Sequence, residues 1–361
     1  MFTSEDHRFM ARALRLAERG LLTTTPNPRV GCVIVNHGEI VGESWHEKAG
    51  EAHAEIRALQ AAGDAAYGAT AYVTLEPCSH YGRTPPCAEA LIAAGIRRAV
   101  VAMADPNPLV SGRGLARLEA AGITTVCGLL EEEARELNIG FVSRMARGRP
   151  WVRLKAAASL DGKTALNDGQ SQWITGNAAR QDGHRWRARA CAILTGIGTV
   201  RCDDPQLTVR GIDTPRQPLK IVVDSRLELS PQARLFDGNA LLIATATRTA
   251  ERIDRLRGCG AEVLVLPERS GRVDLSALTL ELGRRGINEL HVEAGSTLNG
   301  ALLGRGLVDE LLLYLAPCLI GNRARGLFDL PALASLGAKK VLAVREWRQI
   351  GEDLRLLARF G

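Results

Sequence analysis

Strand-like and helix-like segments alternate through both halves of this 361-residue chain. That alternation confines it to α/β sheets covered by helices, because a helix is what returns a chain to lay one parallel strand beside the last. In the first half, residues 4–20 carry Phe9, Ala13, Leu16 and Ala17 at helical spacing, with Gly20 as a stop. Residues 30–35 and 40–44 flank Asn36-His37-Gly38-Glu39 as a hairpin. Helices are expected at 53–62, 88–94 and 115–121, strands at 71–75, 99–104 and 124–127, and one long charged helix at 131–146. Gly148-Arg149-Pro150 breaks the pattern, which predicts two domains, 1–147 and 148–361. The second half resumes it, with strands at 151–157, 192–195, 220–224, 240–244, 289–293 and 310–316 and helices at 177–189, 275–285 and 298–304.

Composition narrows the function. At 46% hydrophobic and 24% charged residues the chain is globular, not fibrous or disordered. No apolar run approaches a membrane span, and residues 1–20 lack the apolar centre of a signal peptide, so no membrane partner and a cytoplasmic location are expected. The net charge of +6 suits a small anionic molecule; with arginine scattered and aromatics at 4%, no nucleic-acid partner is expected. Eight cysteines are too sparse for a disulfide scaffold, and only Cys78 and Cys87 sit close together among turn-forming residues.

His53-Ala54-Glu55, then Pro77-Cys78, then Cys87 make the strongest chemical signal. One imidazole and two thiolates form a three-ligand set suited to Zn²⁺, with a fourth position left for water, as in catalytic sites. Glu55, two residues beyond His53 at a helix start, is placed to shuttle a proton from that water to departing ammonia. A structural zinc would need a fourth protein ligand, and none stands at matching spacing. The pattern resembles that of the zinc nucleobase deaminases, except that eight residues, 79–86, separate the two cysteines where the usual spacing is two.

Thr25-Pro26-Asn27-Pro28-Arg29-Val30-Gly31, His53-Ala54-Glu55 and the segment from Pro77 to Cys87 together resemble the bifunctional deaminase–reductases of riboflavin biosynthesis, and the resemblance runs through the second half. It implies a cytidine-deaminase-like three-layer α/β/α domain followed by a dihydrofolate-reductase-like α/β domain. It implies deamination of 2,5-diamino-6-(5-phosphoribosylamino)pyrimidin-4-one, then reduction of the ribosyl group to ribityl. Matched residue by residue, His53, Cys78 and Cys87 are the implied zinc ligands and Glu55 the proton shuttle, while Asn27, His46, His80 and Arg83 fall at substrate contacts. Asn27 can read a ring amide and Arg83 can meet the ribose phosphate. The rival reading is a nucleoside or tRNA deaminase with an accessory nucleotide-binding domain; the long bracket between Cys78 and Cys87 and the low aromatic content speak against it.

The second half taken alone is only suggestive. Lys155-Ala156-Ala157-Ala158-Ser159-Leu160-Asp161-Gly162, Thr195-Gly196-Ile197-Gly198-Thr199 and Glu293-Ala294-Gly295-Ser296-Thr297-Leu298-Asn299-Gly300 each follow a strand, and such ends can frame a dinucleotide pocket or be ordinary turns. None is Gly-x-Gly-x-x-Gly. The resemblance implies NADPH as cofactor, with Ala157, Trp173, Thr199, Asp203, Ser225, Gly295, Ser296, Thr297 and Leu298 at its contacts. It places Ser171, Arg187, Leu207, Arg210 and Glu293 at the substrate, Arg187 and Arg210 being candidate phosphate clamps. Lys155 and Asp203 are the candidates for proton handling; alternatively Lys155 forms a salt bridge and Asp203 binds a cofactor hydroxyl. The preference for NADPH over NADH is carried by the resemblance alone, because sequence assigns no arginine to a 2′-phosphate. A homo-oligomer is compatible with the chain.

Overall fold

The computed structural model describes residues 2–79, 86–108 and 110–360. The chain divides into two compact units, Met1–Gly148 and Arg149–Gly361.

The first unit runs α1 (Ser4–Glu18), β1 (Gly31–Asn36), β2 (Glu39–Trp45), α2 (Ala54–Ala62), β3 (Thr70–Val73), α3 (Cys87–Ala93), β4 (Arg98–Val101), α4 (Arg113–Ala120), β5 (Thr124–Cys127), α5 (Glu131–Leu137) and α6 (Ile139–Arg147). Helix α1 starts where Thr3 and Asp6 cap each other reciprocally. It buries Phe9, Met10, Ala13, Leu16 and Ala17. Its strand partners are small where it passes: a Cβ on Gly31 would lie 2.0 Å from the Ala13 carbonyl oxygen, so only glycine lets helix and strand approach this closely. Among the described residues the sheet order is β2-β1-β3-β4-β5, the first three strands antiparallel and the last three parallel. Helices α1 and α5 touch each other, α2, α3 and α4 form a second set, and the sheet lies between them as the middle of three layers.

The expected single helix over 131–146 is two. Asn138 interrupts it with φ −107°, because its side-chain amide serves the loop before β1: Oδ1 accepts from the Arg29 N–H at 2.8 Å and Nδ2 donates to the Arg29 carbonyl at 2.9 Å.

The second unit runs β6 (Trp151–Ser159), β7 (Lys163–Ala165), α7 (Asn177–Arg189), β8 (Ala192–Gly196), α8 (Ile197–Asp203), β9 (Leu219–Val223), β10 (Leu241–Thr245), α9 (Ala250–Gly258), β11 (Ala261–Val265), α10 (Leu275–Arg284), β12 (Glu289–Val292), α11 (Ser296–Gly304), β13 (Glu310–Ala316), β14 (Arg325–Gly326), β15 (Leu342–Ile350) and β16 (Asp353–Phe360). The main sheet is ordered β11-β10-β9-β8-β12-β6-β13-β16-β15 among the described residues. It is parallel from β11 to β13 and antiparallel through β16 and β15. Strands β8, β9, β10 and β12 are almost wholly buried, as parallel strands covered on both faces are; β8 and β10 are mainly aliphatic, while β9 buries Lys220 and β12 buries Glu289 and His291. The segments α8, α9, β11 and β15–β16 were not expected from sequence. In β15 the residues run Leu-Ala-Val-Arg-Glu-Trp-Arg-Gln-Ile and mostly face solvent, so the strand carries no clean alternation, and its pairing shifts register at a bulge near Val344.

Candidate functional site

In the first unit, two helix starts and one strand exit converge. His53 caps α2 without using its side chain in the cap, which leaves the imidazole free. Cys87 is the first residue of α3, and its N–H donates to Cys78 Sγ at 3.3 Å. His53 Nδ1 lies 3.2 Å from Cys87 Sγ and 3.6 Å from Cys78 Sγ. The three ligand atoms fall within 4.8 Å of one another. Two soft sulfurs and one imidazole nitrogen at this spacing fit Zn²⁺. The Cys87 thiol beside Cys78, with His53 next, pulls the Cys78 thiol below its ordinary range, and the thiolate so favoured is the form that binds a metal.

Glu55 is 3% exposed, and burial raises its carboxyl above the ordinary carboxylate range. A carboxyl poised upward in this way is suited to carry a proton both ways near neutral pH. His46 stands edge-on to His53, ring centroids 5.3 Å apart. Burial keeps it neutral, and its Nδ1 donates to the Ala52 carbonyl at 3.2 Å, so Nε2 is left to accept from Asn27 Nδ2 at 3.0 Å. Asn27 therefore turns its amide nitrogen to His46 and leaves its carbonyl oxygen for another donor. His80 and Arg83 lie outside the described residues.

Glu76 escaped the sequence reading. It is buried, and its carboxylate accepts from the N–H groups of Asp105, Gly112, Gly114 and Leu115 at 3.0, 3.0, 2.7 and 3.3 Å. Its position between a strand and Pro77-Cys78 was the available signal. A Cβ on Gly114 would meet the Pro77 carbonyl at 2.0 Å, so the segment carrying Cys78 is held by both residues.

In the second unit the carboxyl ends of the parallel strands open into a cavity of about 1460 Å³. Strand ends are where open α/β sheets take ligands, and this volume exceeds that of a single small-ligand pocket. Lys155, Ala157, Ser171, Trp173, Arg187 and Thr199 line it. So do Asp203, Leu207, Arg210, Ser225, Glu293, Gly295, Ser296, Thr297 and Leu298. Gly295 precedes α11 with no side-chain cap, leaving first-turn N–H groups for an anion, and a Cβ on Gly196 would crowd Leu298 at 3.3 Å. The cavity thus fits a dinucleotide phosphate. Leu207 is 3% exposed with its backbone in the left-handed region, φ +51°, so it shapes the wall from within. Trp173 is exposed, with the Arg180 guanidinium 4.5 Å above its ring.

Arg187, expected as a phosphate clamp, forms a two-pronged pair with Glu293: Nε to Oε1 at 2.5 Å and Nη2 to Oε2 at 2.8 Å, with Nη1 on the Thr208 carbonyl at 3.0 Å. In this structure its forked donors are paired with Glu293 and the Thr208 carbonyl. Burial opposes ionising Glu293, but the Arg187 guanidinium outweighs it and holds the carboxyl well below its ordinary range. The Arg210 guanidinium donates to Gln206 Oε1 at 3.3 Å, its backbone N–H donates to His184 Nδ1 at 3.2 Å, and its side chain is the less committed of the two. Burial lowers Lys155 below the ordinary ammonium value against the opposing pull of Glu293. Burial raises Asp203, whose Oδ1 accepts from Ser171 Oγ at 3.3 Å. Sequence reasoning missed His184, which lines the cavity, and His291, which is wholly buried with Nε2 3.3 Å from Glu293 Oε1. The signal for His291 was its alternation with Glu289 and Glu293 along one strand.

Known families match both units of the chain. The RibD C-terminal domain family matches residues 150–356, and the cytidine and deoxycytidylate deaminase zinc-binding region matches residues 3–103. The riboflavin biosynthesis protein RibD of Escherichia coli K12 is 50% identical, covering 98% of this chain and 98% of its own. Among solved structures, Acinetobacter baumannii RibD superposes with a TM-score of 0.92 at 43% identity over 99% of both chains. The Thermotoga maritima diaminohydroxyphosphoribosylaminopyrimidine deaminase/5-amino-6-(5-phosphoribosylamino)uracil reductase does so with a TM-score of 0.88 at 33% identity, also over 99% of both. These likenesses favour the paired activities over a nucleoside or tRNA deaminase, and Zn²⁺ and NADPH are the cofactors of the pair. Likeness of this extent, reaching across both units, makes the chain a member of the RibD family, the bifunctional deaminase–reductases of riboflavin biosynthesis.

Proposed function

We propose that the first unit deaminates 2,5-diamino-6-(5-phosphoribosylamino)pyrimidin-4-one and that the second reduces the ribosyl group of the product, 5-amino-6-(5-phosphoribosylamino)uracil, to ribityl. The observation that carries the reading is the meeting of His53, Cys78 and Cys87 beside buried Glu55. His53, Cys78 and Cys87 would hold Zn²⁺, which lowers the pKa of water at neutral pH. Glu55 takes the proton of the attacking water and returns it to the leaving nitrogen, so that a C–O bond forms, the C–N bond breaks and ammonia departs. Asn27 and His46 read the pyrimidine ring, and His80 and Arg83 complete the substrate contacts, Arg83 at the phosphate.

In the second unit NADPH supplies hydride to ribose C1′, made electrophilic as the sugar ring opens to an imine. Lys155, its proton loosened by burial, hands a proton to the opening ring oxygen, and Asp203, held by Ser171, takes the N–H proton lost as the imine forms and returns it to the nitrogen as hydride adds at C1′. Glu293, paired with Arg187, orients the ribose hydroxyls, with Ser171, Arg187, Leu207 and Arg210 at the substrate. Ala157, Trp173, Thr199, Ser225, Gly295, Ser296, Thr297 and Leu298 hold the cofactor. Substrate and cofactor are multiply charged, which suits a cytoplasmic enzyme. The unpaired edge of β15 exposes Val344 and Trp347, with exposed Leu336 and Val341 just before it, and a second copy of the chain fits it as partner. The deciding experiment follows ammonia release and NADPH oxidation by the purified enzyme with the diamino substrate. Ammonia first and NADPH oxidation after it is expected; NADPH oxidation with no ammonia would overturn the order of steps.

A further inference from the structure

The cavity of the second unit has two ends. At one, Lys155, Arg187 and Glu293 gather around the exits of β6 and β12. At the other, Ser225 and Arg226 follow β9, and residues 267–273 fold back towards them. Strands β6, β12, β8 and β9 are consecutive neighbours, so the ends lie three strand spacings apart, about 14 Å at about 4.8 Å each. A ligand with its reacting ring at the first end reaches the second only if it is extended, as a dinucleotide is.

The far end is built to receive an anion. Ser225 Oγ accepts from the Val273 N–H at 3.2 Å, and this bond brings the neighbours of those two residues, Arg226 and Arg272, to one rim. Both backbones are fixed. The Arg226 carbonyl accepts from Arg252 Nη1 at 2.7 Å, and the Arg272 carbonyl accepts from the Glu268 N–H at 2.8 Å. Yet neither guanidinium has a hydrogen-bond or ion-pair partner among the described residues, although both line the cavity. The neighbouring carboxylates are paired or out of reach: Glu228 pairs with Arg201 at 2.7 Å and Glu268 with Arg305 at 2.7 Å, while Asp224 is wholly buried, its Oδ2 accepting from the Leu229 N–H at 2.8 Å and its Oδ1 without a partner among the described residues. A ribose 2′-hydroxyl is recognised by a free carboxylate, whereas a 2′-phosphate is recognised by paired guanidinium donors.

We infer that Arg226 and Arg272 form the subsite for the 2′-phosphate and so select NADPH over NADH; the inference rests on the reductase reading above. The test is calorimetric titration of the full-length enzyme and its R226Q/R272Q variant with adenosine 2′,5′-bisphosphate and with 5′-AMP. The double variant loses affinity for the bisphosphate by about tenfold or more and keeps its affinity for 5′-AMP within about twofold. Its kcat/KM ratio for NADPH against NADH falls in step, while ammonia release, which reports the other unit, is unchanged. Arg234 also reaches the cavity, with its main chain tied to Asp204, and R234Q is the comparison. Unchanged bisphosphate affinity in the double variant, an equal loss for 5′-AMP, or a loss that appears in R234Q instead would overturn the assignment. A wild-type enzyme that binds neither the bisphosphate nor NADPH would defeat the reductase reading and the inference with it.

Discussion

Glu55→Gln separates the proton-transfer role from every other role the residue has. The substitution preserves volume and one carbonyl oxygen but puts an NH2 donor in place of the other oxygen and removes the capacity to take up and release a proton. General acid–base catalysis contributes roughly 10²–10⁴ in rate, or about 2.7–5.4 kcal/mol at about 1.36 kcal/mol per decade. The structure argues for the upper end, because Glu55 is 3% exposed and bulk water cannot easily stand in for it. Glutamine in place of a carboxyl that burial already pushes toward its neutral form also costs little fold stability. The expected result is ammonia release slowed by about 10⁴-fold, with zinc still bound and NADPH oxidation on pre-deaminated substrate at the wild-type rate. A coupled ammonia assay, a colorimetric zinc determination and absorbance at the reduced-nicotinamide band on one preparation give all three. Ammonia release within about tenfold of wild type, zinc being present, would show that the proton moves by another route and refute the mechanism.

Removing the metal with a chelator abolishes ammonia release and leaves NADPH oxidation on pre-deaminated substrate intact; parallel loss of both activities would argue against two independent sites. Glu293→Gln leaves the part-buried Arg187, 16% exposed like its partner, without its anion, a change worth about 3 kcal/mol, so the reductase unit melts earlier by about 6–12 °C and its turnover falls, while ammonia release is kept. An unshifted melting temperature would count against a stabilising pair. Burial, with Arg187 and Arg210 near, lowers His184 to about 4 from an ordinary 6.5, so the fold holds it neutral. Its contribution to stability is fully present above pH 6.5 and is lost as pH falls through 4, because the unfolded chain binds that proton first. Melting of the wild type should therefore weaken more steeply than that of His184→Asn between those values, and parallel curves would rule His184 out as the cause.

The metal set could be read from the chain because its geometry is local: one helix start bears both His53 and Glu55, a strand exit bears Cys78, and the next helix start bears Cys87. Residue chemistry there leaves few alternatives. The alternation of strands and helices likewise foretold layered sheets. Helix 131–146 failed because Asn138 answers to Arg29, a partner 109 positions away that no periodicity registers. The C-terminal hairpin failed because its outer strand faces solvent and lacks an inward stripe.

The chain by itself determined the zinc chemistry, the α/β layering and the family, since each depends on residue type and short spacing. Only the tertiary structure decided how the charged groups are shared out. Arg187 meets Glu293 across 106 positions, and a hydrogen bond spanning 48 positions brings Arg226 and Arg272 together. A guanidinium looks the same in sequence whether it is neutralised by a carboxylate or left open to a ligand. The difference is made by which strand ends the sheet places side by side.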